Sequence, residues 1–188
     1  MLKQTEIKKG KVIELDEDPY EVLEHSHKVK ARGKSVMQTK LRNMRTGTVL
    51  KRNFHPSETV EEADMDEMNA VFIYSKQGKY VFHKEGDPSD RFELQEEQVG
   101  DKKEFLVQDV KVSILLFEEK MVGISLPPKI QLKVEEAPPG VKGNTAEGGT
   151  KRAVLESGKE VDVPLFVEMG DVVEINTQTG EYVRRIKS

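Results

Sequence analysis

Hydrophobic residues in this chain recur at every second position over short stretches, and each stretch soon ends at a turn signal. No segment sustains the 3.6-residue period of an amphipathic helix. A period of two sends alternate side chains to opposite faces, so these runs require sheets with a buried side. Residues 11–15 and 20–24 flank Asp16-Glu17-Asp18-Pro19 and read as a hairpin. Residues 35–43 and 48–54 pair around Thr46-Gly47. Between these two pairs, the stretch 28–34 has Gly33 as its one easy turning point, which puts it at the tip of a projecting loop. Strands at 69–74, 80–83 and 91–94 follow, with a turn at Gln77-Gly78. The polar segment 95–105 is the candidate helix, and strands resume at 110–117, 121–126 and 130–134. After Ala137-Pro138-Pro139-Gly140 and a glycine-rich stretch at 143–149, short strands at 153–155, 161–163, 172–175 and 182–183 complete the pattern.

With 188 residues, 36% hydrophobic and 34% charged, the chain is too lean for one deep core and suits several small ones. Three β-units of about 60 residues each fit that size, with divisions at 1–64, 65–129 and 130–188. Cysteine is absent, which removes disulfides, thiolate metal sites and a cysteine nucleophile. Apolar stretches such as Ile114-Leu115-Leu116-Phe117 fall far short of the ~18 residues a membrane span needs. Residues 1–10 lack the apolar segment of a signal peptide, so a soluble, cytoplasmic protein with no membrane partner is expected.

The net charge of −4 hides an asymmetry. Residues 28–52 hold nine basic side chains (Lys28, Lys30, Arg32, Lys34, Lys40, Arg42, Arg45, Lys51, Arg52) and no acidic one. The compensating acid lies in clusters such as Asp16-Glu17-Asp18 and Glu61-Glu62-Ala63-Asp64. One basic feature on an acidic body suits a locally polyanionic partner, because phosphate contacts supply affinity while the acidic remainder discourages indiscriminate binding. A solvated charged face is the competing explanation, though lysine-rich surfaces normally interleave glutamate.

Other constellations carry less. His25 and His27 share a strand face and could present two imidazoles to a metal, yet nothing in the spacing supplies a third ligand. Asp16 and Asp18 sit in a turn ahead of Pro19, where Asp is favoured for backbone reasons. Gly-x-Ser-x-Gly, Gly-x-Gly-x-x-Gly and phosphate-loop motifs are absent. The expectation is a protein that is not an enzyme, with no catalytic residue, no metal and no cofactor.

The stretch from Gly33-Lys34-Ser35 through Lys40-Leu41-Arg42-Asn43-Met44-Arg45-Thr46-Gly47-Thr48 resembles the hairpin strand and Lys-Leu-Arg-Asn-x-Arg-Thr-Gly element of the bacterial translation elongation factor P family. The similarity continues through Asn53-Phe54, Leu126-Pro127-Pro128, Ala137-Pro138-Pro139-Gly140-Val141-Lys142-Gly143-Asn144-Thr145-Ala146 and Val161-Asp162-Val163-Pro164-Leu165-Phe166-Val167. It ends with Gly170-Asp171-Val172-Val173-Glu174-Ile175-Asn176-Thr177 and Gly180-Glu181-Tyr182-Val183-x-Arg185. The resemblance implies a mainly β, L-shaped molecule of three small β-barrels: an SH3-like (KOW-type) N-terminal domain with a projecting basic hairpin, then two OB-fold domains. It implies a monomeric translation elongation factor that binds the ribosome beside peptidyl-tRNA, promotes peptide-bond formation and relieves stalls at consecutive prolines. An elongation factor P-like paralogue would share the layout, although Lys40-Leu41-Arg42-Asn43 favours the standard factor. A general OB-type single-strand nucleic-acid binder is the alternative from another class. That reading wants aromatic stacking platforms, whereas Trp is absent and only 7 Phe and 4 Tyr occur.

By the same resemblance, Lys28, Lys30, Arg32, Gly33, Lys34, Lys40, Arg42 and Arg45 form the tRNA-binding set. Gly143, Asn144, Thr145, Tyr182 and Arg185 face the ribosome, with Tyr182 packing into the barrel as the competing placement. Counting back from Lys40, the position that relatives fill with a modified lysine or arginine falls on Arg32, so a modifying enzyme acting on the tip is a further partner. Seven extended residues from His25 would carry Arg32 about 23 Å from the barrel edge. The flanks depart from the family: Lys30-Ala31 precedes Arg32 where many members have Pro-Gly, and Lys34 takes the tip only if the register differs by two. Asn144 stands where the family more often has Asp, which removes a carboxylate and keeps a similar hydrogen-bonding shape.

Overall fold

The computed structural model of the chain describes residues 1–29, 35–139 and 149–186. Its first six strands are β1 (Leu2–Lys3), β2 (Val12–Leu15), β3 (Asp18–Val29), β4 (Ser35–Asn43), β5 (Val49–Phe54) and β6 (Thr59–Glu62). They form one sheet in the order β1-β6-β2-β3-β4-β5. A second sheet contains β7 (Asp66–Lys76), β8 (Lys79–Lys84), β9 (Asp87–Gln95), β10 (Lys111–Phe117) and β11 (Lys120–Ser125), ordered β11-β10-β7-β8-β9. The third contains β12 (Lys129–Glu136), β13 (Thr150–Leu155), β14 (Glu160–Pro164), β15 (Val172–Asn176) and β16 (Tyr182–Ile186), ordered β14-β13-β12-β15-β16. In both five-stranded sheets the chain's first strand is central, flanked by its second and fourth, which is the OB-type arrangement. In the third sheet β14 also approaches β16, as closure toward a barrel requires. The fold is mainly β, as the alternating runs require.

Burial follows the alternation. Along β12, Ile130, Leu132 and Val134 are buried while Lys129, Gln131 and Lys133 are exposed. With Ala153, Leu155, Val163, Val173 and Ile175 they make the core of the third sheet. In the first sheet Ile7, Ile13, Val22, Leu41 and Phe54 pack together, each fully buried Leu or Ile contributing roughly 1.5–3 kcal/mol. Chain packing separates two compact units, one made of Met1–Met68, Leu94–Gly100 and Ile114–Ile124, the other of Asn69–Glu93, Asp101–Ser113 and Ser125–Ser188. Among the described residues, no helix is long and apolar enough to cross a membrane.

The structure departs from the sequence reading in several places. The first hairpin turns on Asp16 and Glu17 alone, both at positive φ (53° and 68°), and Pro19 is buried inside β3 opposite Glu14. The pair of positive φ values matches the right-handed strand twist, so two residues suffice. Within the expected loop at 28–34, Lys28 and Val29 are strand, paired with Val36 and Ser35, and residues 30–34 lie outside the described residues. The segment 95–105 is one helical turn, α1 (Glu96–Val99), followed by a 3-10 stretch, Gly100–Phe105. Gly100, at φ 59° and ψ −145°, breaks the helix there, in a conformation open essentially to glycine alone.

Candidate nucleic-acid interface

The acid-free window folds into β3, β4 and β5, and their register decides which cations reach solvent. A bulge between Val22 and Glu24 keeps Val22 opposite Leu41 and brings Glu24 opposite Lys40. Leu41 faces the core, so its neighbours Lys40 and Arg42 point to the other side of the sheet. Across β3, β4 and β5 that outer face carries the rows Glu24–Lys40–Lys51 and Ser26–Gln38–Asn53, with Lys28 beside Val36 farther out. Lys28 and Lys51 are exposed, and among the described residues neither has a carboxylate partner. Lys40 pairs with Glu24 at 3.1 Å, both side chains well exposed, and such a pair holds its charge only weakly. Arg52 is exposed and lies over the Phe54 ring at 5.0 Å. Lys51 and Arg52 were not singled out from sequence as contacts; counting strand alternation outward from Thr46-Gly47 would have set Lys51 opposite Lys40.

The base of the hairpin is different. Arg42 is 9% exposed, and its Nη2 donates to Glu21 Oε2 at 2.5 Å. Asn43 accepts from the Arg45 and Thr46 backbone N–H groups at 2.9 and 3.0 Å and donates to Asp18 at 2.9 Å, so one side chain holds the turn closed. Arg45 donates to Glu118 at 2.7 Å, lies 3.3 Å from Asp18 and stacks over the Phe117 ring at 5.4 Å. Met44 packs with Ala63, Phe117 and Val122. Arg42 and Arg45, which the resemblance puts in the tRNA-binding set, thus both have their charges paired inside the chain, by acids that the sequence pattern does not place beside them. His25, on the opposite face of the hairpin, accepts from the Lys9 backbone N–H through Nδ1 at 3.2 Å.

In the third sheet Tyr182 is half-buried against the core. Arg185 donates to the Phe166 carbonyl at 3.3 Å and to Asp171 at 3.2 Å and stacks over the Phe166 ring at 5.1 Å. The Glu168 backbone N–H chiefly holds the Asp171 carboxyl below its ordinary range, against the opposing effect of burial and with further help from Arg185. Glu174 is clasped between Arg184 and Lys129 on the sheet's outer side, and the Arg184 hydrogen bonds lower its pKa most. The remaining residues singled out from sequence, Lys30, Arg32, Gly33 and Lys34 at the tip and Gly143, Asn144 and Thr145, lie outside the described residues.

Comparison with known proteins gives a consistent answer along the chain. Residues 3–60 match the family model described as the elongation factor P KOW-like domain, and residues 130–185 match elongation factor P, C-terminal. The chain is 38% identical over 186 residues to elongation factor P of Carboxydothermus hydrogenoformans, an alignment covering 99% of this chain and 100% of that protein. It is 39% identical over 185 residues to elongation factor P of Moorella thermoacetica, covering 98% of this chain and all of the relative. With elongation factor P of Symbiobacterium thermophilum the identity is 40% over 185 residues, again 98% of this chain and 100% of the relative. With relatives of this identity matched from end to end, the chain belongs to the elongation factor P family.

Proposed function

We propose that this translation elongation factor binds the ribosome beside peptidyl-tRNA and promotes peptide-bond formation where consecutive prolines stall it. The observation that carries this reading is the outer face of the hairpin, where Lys28 and Lys51 stand exposed without carboxylate partners among the described residues and Lys40 pairs with an exposed glutamate. Cations spread over one face of three adjacent strands suit a phosphate backbone, whose affinity rests on neutralised charge and not on base identity. In this reading the arm places Lys30, Arg32, Gly33 and Lys34 at the tRNA end, with Arg32 as the tip and the residue open to a modifying enzyme. Gly143, Asn144, Thr145, Tyr182 and Arg185 contribute on the ribosome side, and the modules run 1–64, 65–129 and 130–188. The factor supplies no acid, base or nucleophile. The bond-forming chemistry stays with the ribosome, and the factor acts by orienting a poor substrate, an effect that can lower a barrier by several kcal/mol.

The test is translation of a reporter with consecutive prolines in a system lacking its own factor. The wild-type chain should restore full-length product. Arg32→Ala should fold normally and lose most of the rescue. Full rescue by Arg32→Ala together with loss in Lys34→Ala would move the tip by two residues, and no rescue by the wild-type chain, modified or not, would refute the proposal.

A further inference from the structure

We propose that Arg42 is a positioning residue: it clamps the base of the hairpin to the segment Leu94–Gly100 of the same compact unit and touches no RNA. The inference rests on the reading of the hairpin as the acting arm. Its evidence lies in how the turn 42–47 is seated. The Arg42 guanidinium occupies the space a side chain at Gly100 would fill, since a Cβ built there would fall 1.6 Å from Nη1 and 2.7 Å from Cζ. Gly123 serves Met44 likewise, with a built Cβ 2.9 Å from the Met44 terminal methyl. Gly47 reverses the relation: its own Cβ would meet Glu97 Cβ at 2.8 Å. Three glycines thus let this turn close onto 94–100 and 114–124, and Arg45 adds its bond to Glu118 and its stack on Phe117 along the same seam.

The orientation of Arg42 argues against contact with a ligand. Its Nε is buried with no hydrogen-bond partner among the described residues, whereas a guanidinium placed for phosphate would present its unused N–H groups to solvent. Glu21 takes the charge from the neighbouring strand, directly opposite in the register. What Arg42 controls is the pose of the paired strands β3 and β4 beyond Glu21 and Arg42.

The test uses the full chain and two variants that leave Arg42 itself in place. Gly100→Ala changes no charge but fills the cradle; Glu21→Gln keeps the size of the side chain and removes its charge. If Arg42 is a clamp, each should speed amide hydrogen exchange at residues 21–24 and 40–43 about tenfold or more in the free protein, by local opening, and each should lower rescue of proline-stalled synthesis. If Arg42 instead binds phosphate directly, Glu21→Gln frees a cation, and ribosome affinity should rise with rescue unimpaired; that result overturns the proposal. Unchanged exchange in either folded variant overturns it as well. Should Gly100→Ala not fold, Glu21→Gln decides alone. Faster exchange with full rescue would leave the clamp standing and refute the reading that the hairpin is the acting arm.

Discussion

Arg42 and Lys51 stand on the same outward face of one sheet, on adjacent strands, and their charges are used in opposite ways. Arg42 lies on an inner strand, with Glu21 opposite on β3 and Gly100 against its guanidinium. Lys51 lies on β5, the last strand in the order, with no strand beyond it to bring an acid. Both belong to a window with no acidic residue, so local sequence treats them alike. Availability of a charge is set by what the fold carries across from elsewhere. At the other end of the chain Arg184 and Arg185 lie on β16, the last strand of the third sheet, and both are bound, by Glu174 and Asp171.

The comparison is broken most severely at Arg42. Arg42→Ala breaks the ion pair with Glu21 in a nearly enclosed site, where side-chain exposures are 10% and 16%, and should cost about 3–5 kcal/mol in urea unfolding. A loss below about 1 kcal/mol would place Arg42 with the surface pairs. Next in size is Gly47→Ala, which combines a positive φ of 73° with a Cβ pressed on Glu97; about 1–3 kcal/mol is expected, read as a lower unfolding midpoint with the slope unchanged.

Acid titration sharpens the comparison more gently. The folded pKa values of Asp171 and Glu174 are depressed by their hydrogen bonds, Asp171 chiefly by the Glu168 N–H and Glu174 chiefly by Arg184. Their stabilising effect is therefore fully present above the ordinary carboxylate range and is lost as the pH falls through the lower folded values. Glu174→Gln should flatten the decline in stability below that range, and Lys51→Ala should leave the decline unaltered. An equal effect of both on the acid limb would show that general charge repulsion, and not these pairs, controls it.

Much of the fold was legible because alternation is a local signal. The runs at 130–134 and 172–175 reappear as β12 and β15, with Ile130, Leu132, Val134, Val173 and Ile175 in the core. The outer half of β3 carries no apolar rhythm, since every residue from Glu24 to Val29 is exposed, and its pairing with β4 is what extends it to Val29. The candidate site was read as a set of cations, and the sequence could supply the set but not its division. Glu21, Gly100 and Glu118 are distant in the chain from Arg42 and Arg45, and nothing in a run of basic residues reveals which will meet an acid. The motif that carried the family resemblance, Lys40-Leu41-Arg42-Asn43-Met44-Arg45-Thr46-Gly47, is for the most part a closed turn and its seat.

The division between satisfied and free cations is tested most directly by the salt dependence of binding to ribosomes that carry peptidyl-tRNA. Two double variants bear on it: Lys28→Ala with Lys51→Ala, and Arg42→Met with Glu21→Leu, the second replacing a buried pair by apolar side chains, an exchange that is often neutral for folding. Removing Lys28 and Lys51 should alter stability by no more than about 0.5 kcal/mol per site and make the slope of log affinity against log salt shallower by roughly 0.7–0.9 per lost contact. The Arg42 and Glu21 replacement should leave that slope at its wild-type value. A slope flattened by the Arg42 and Glu21 replacement and untouched by loss of Lys28 and Lys51 would contradict the account.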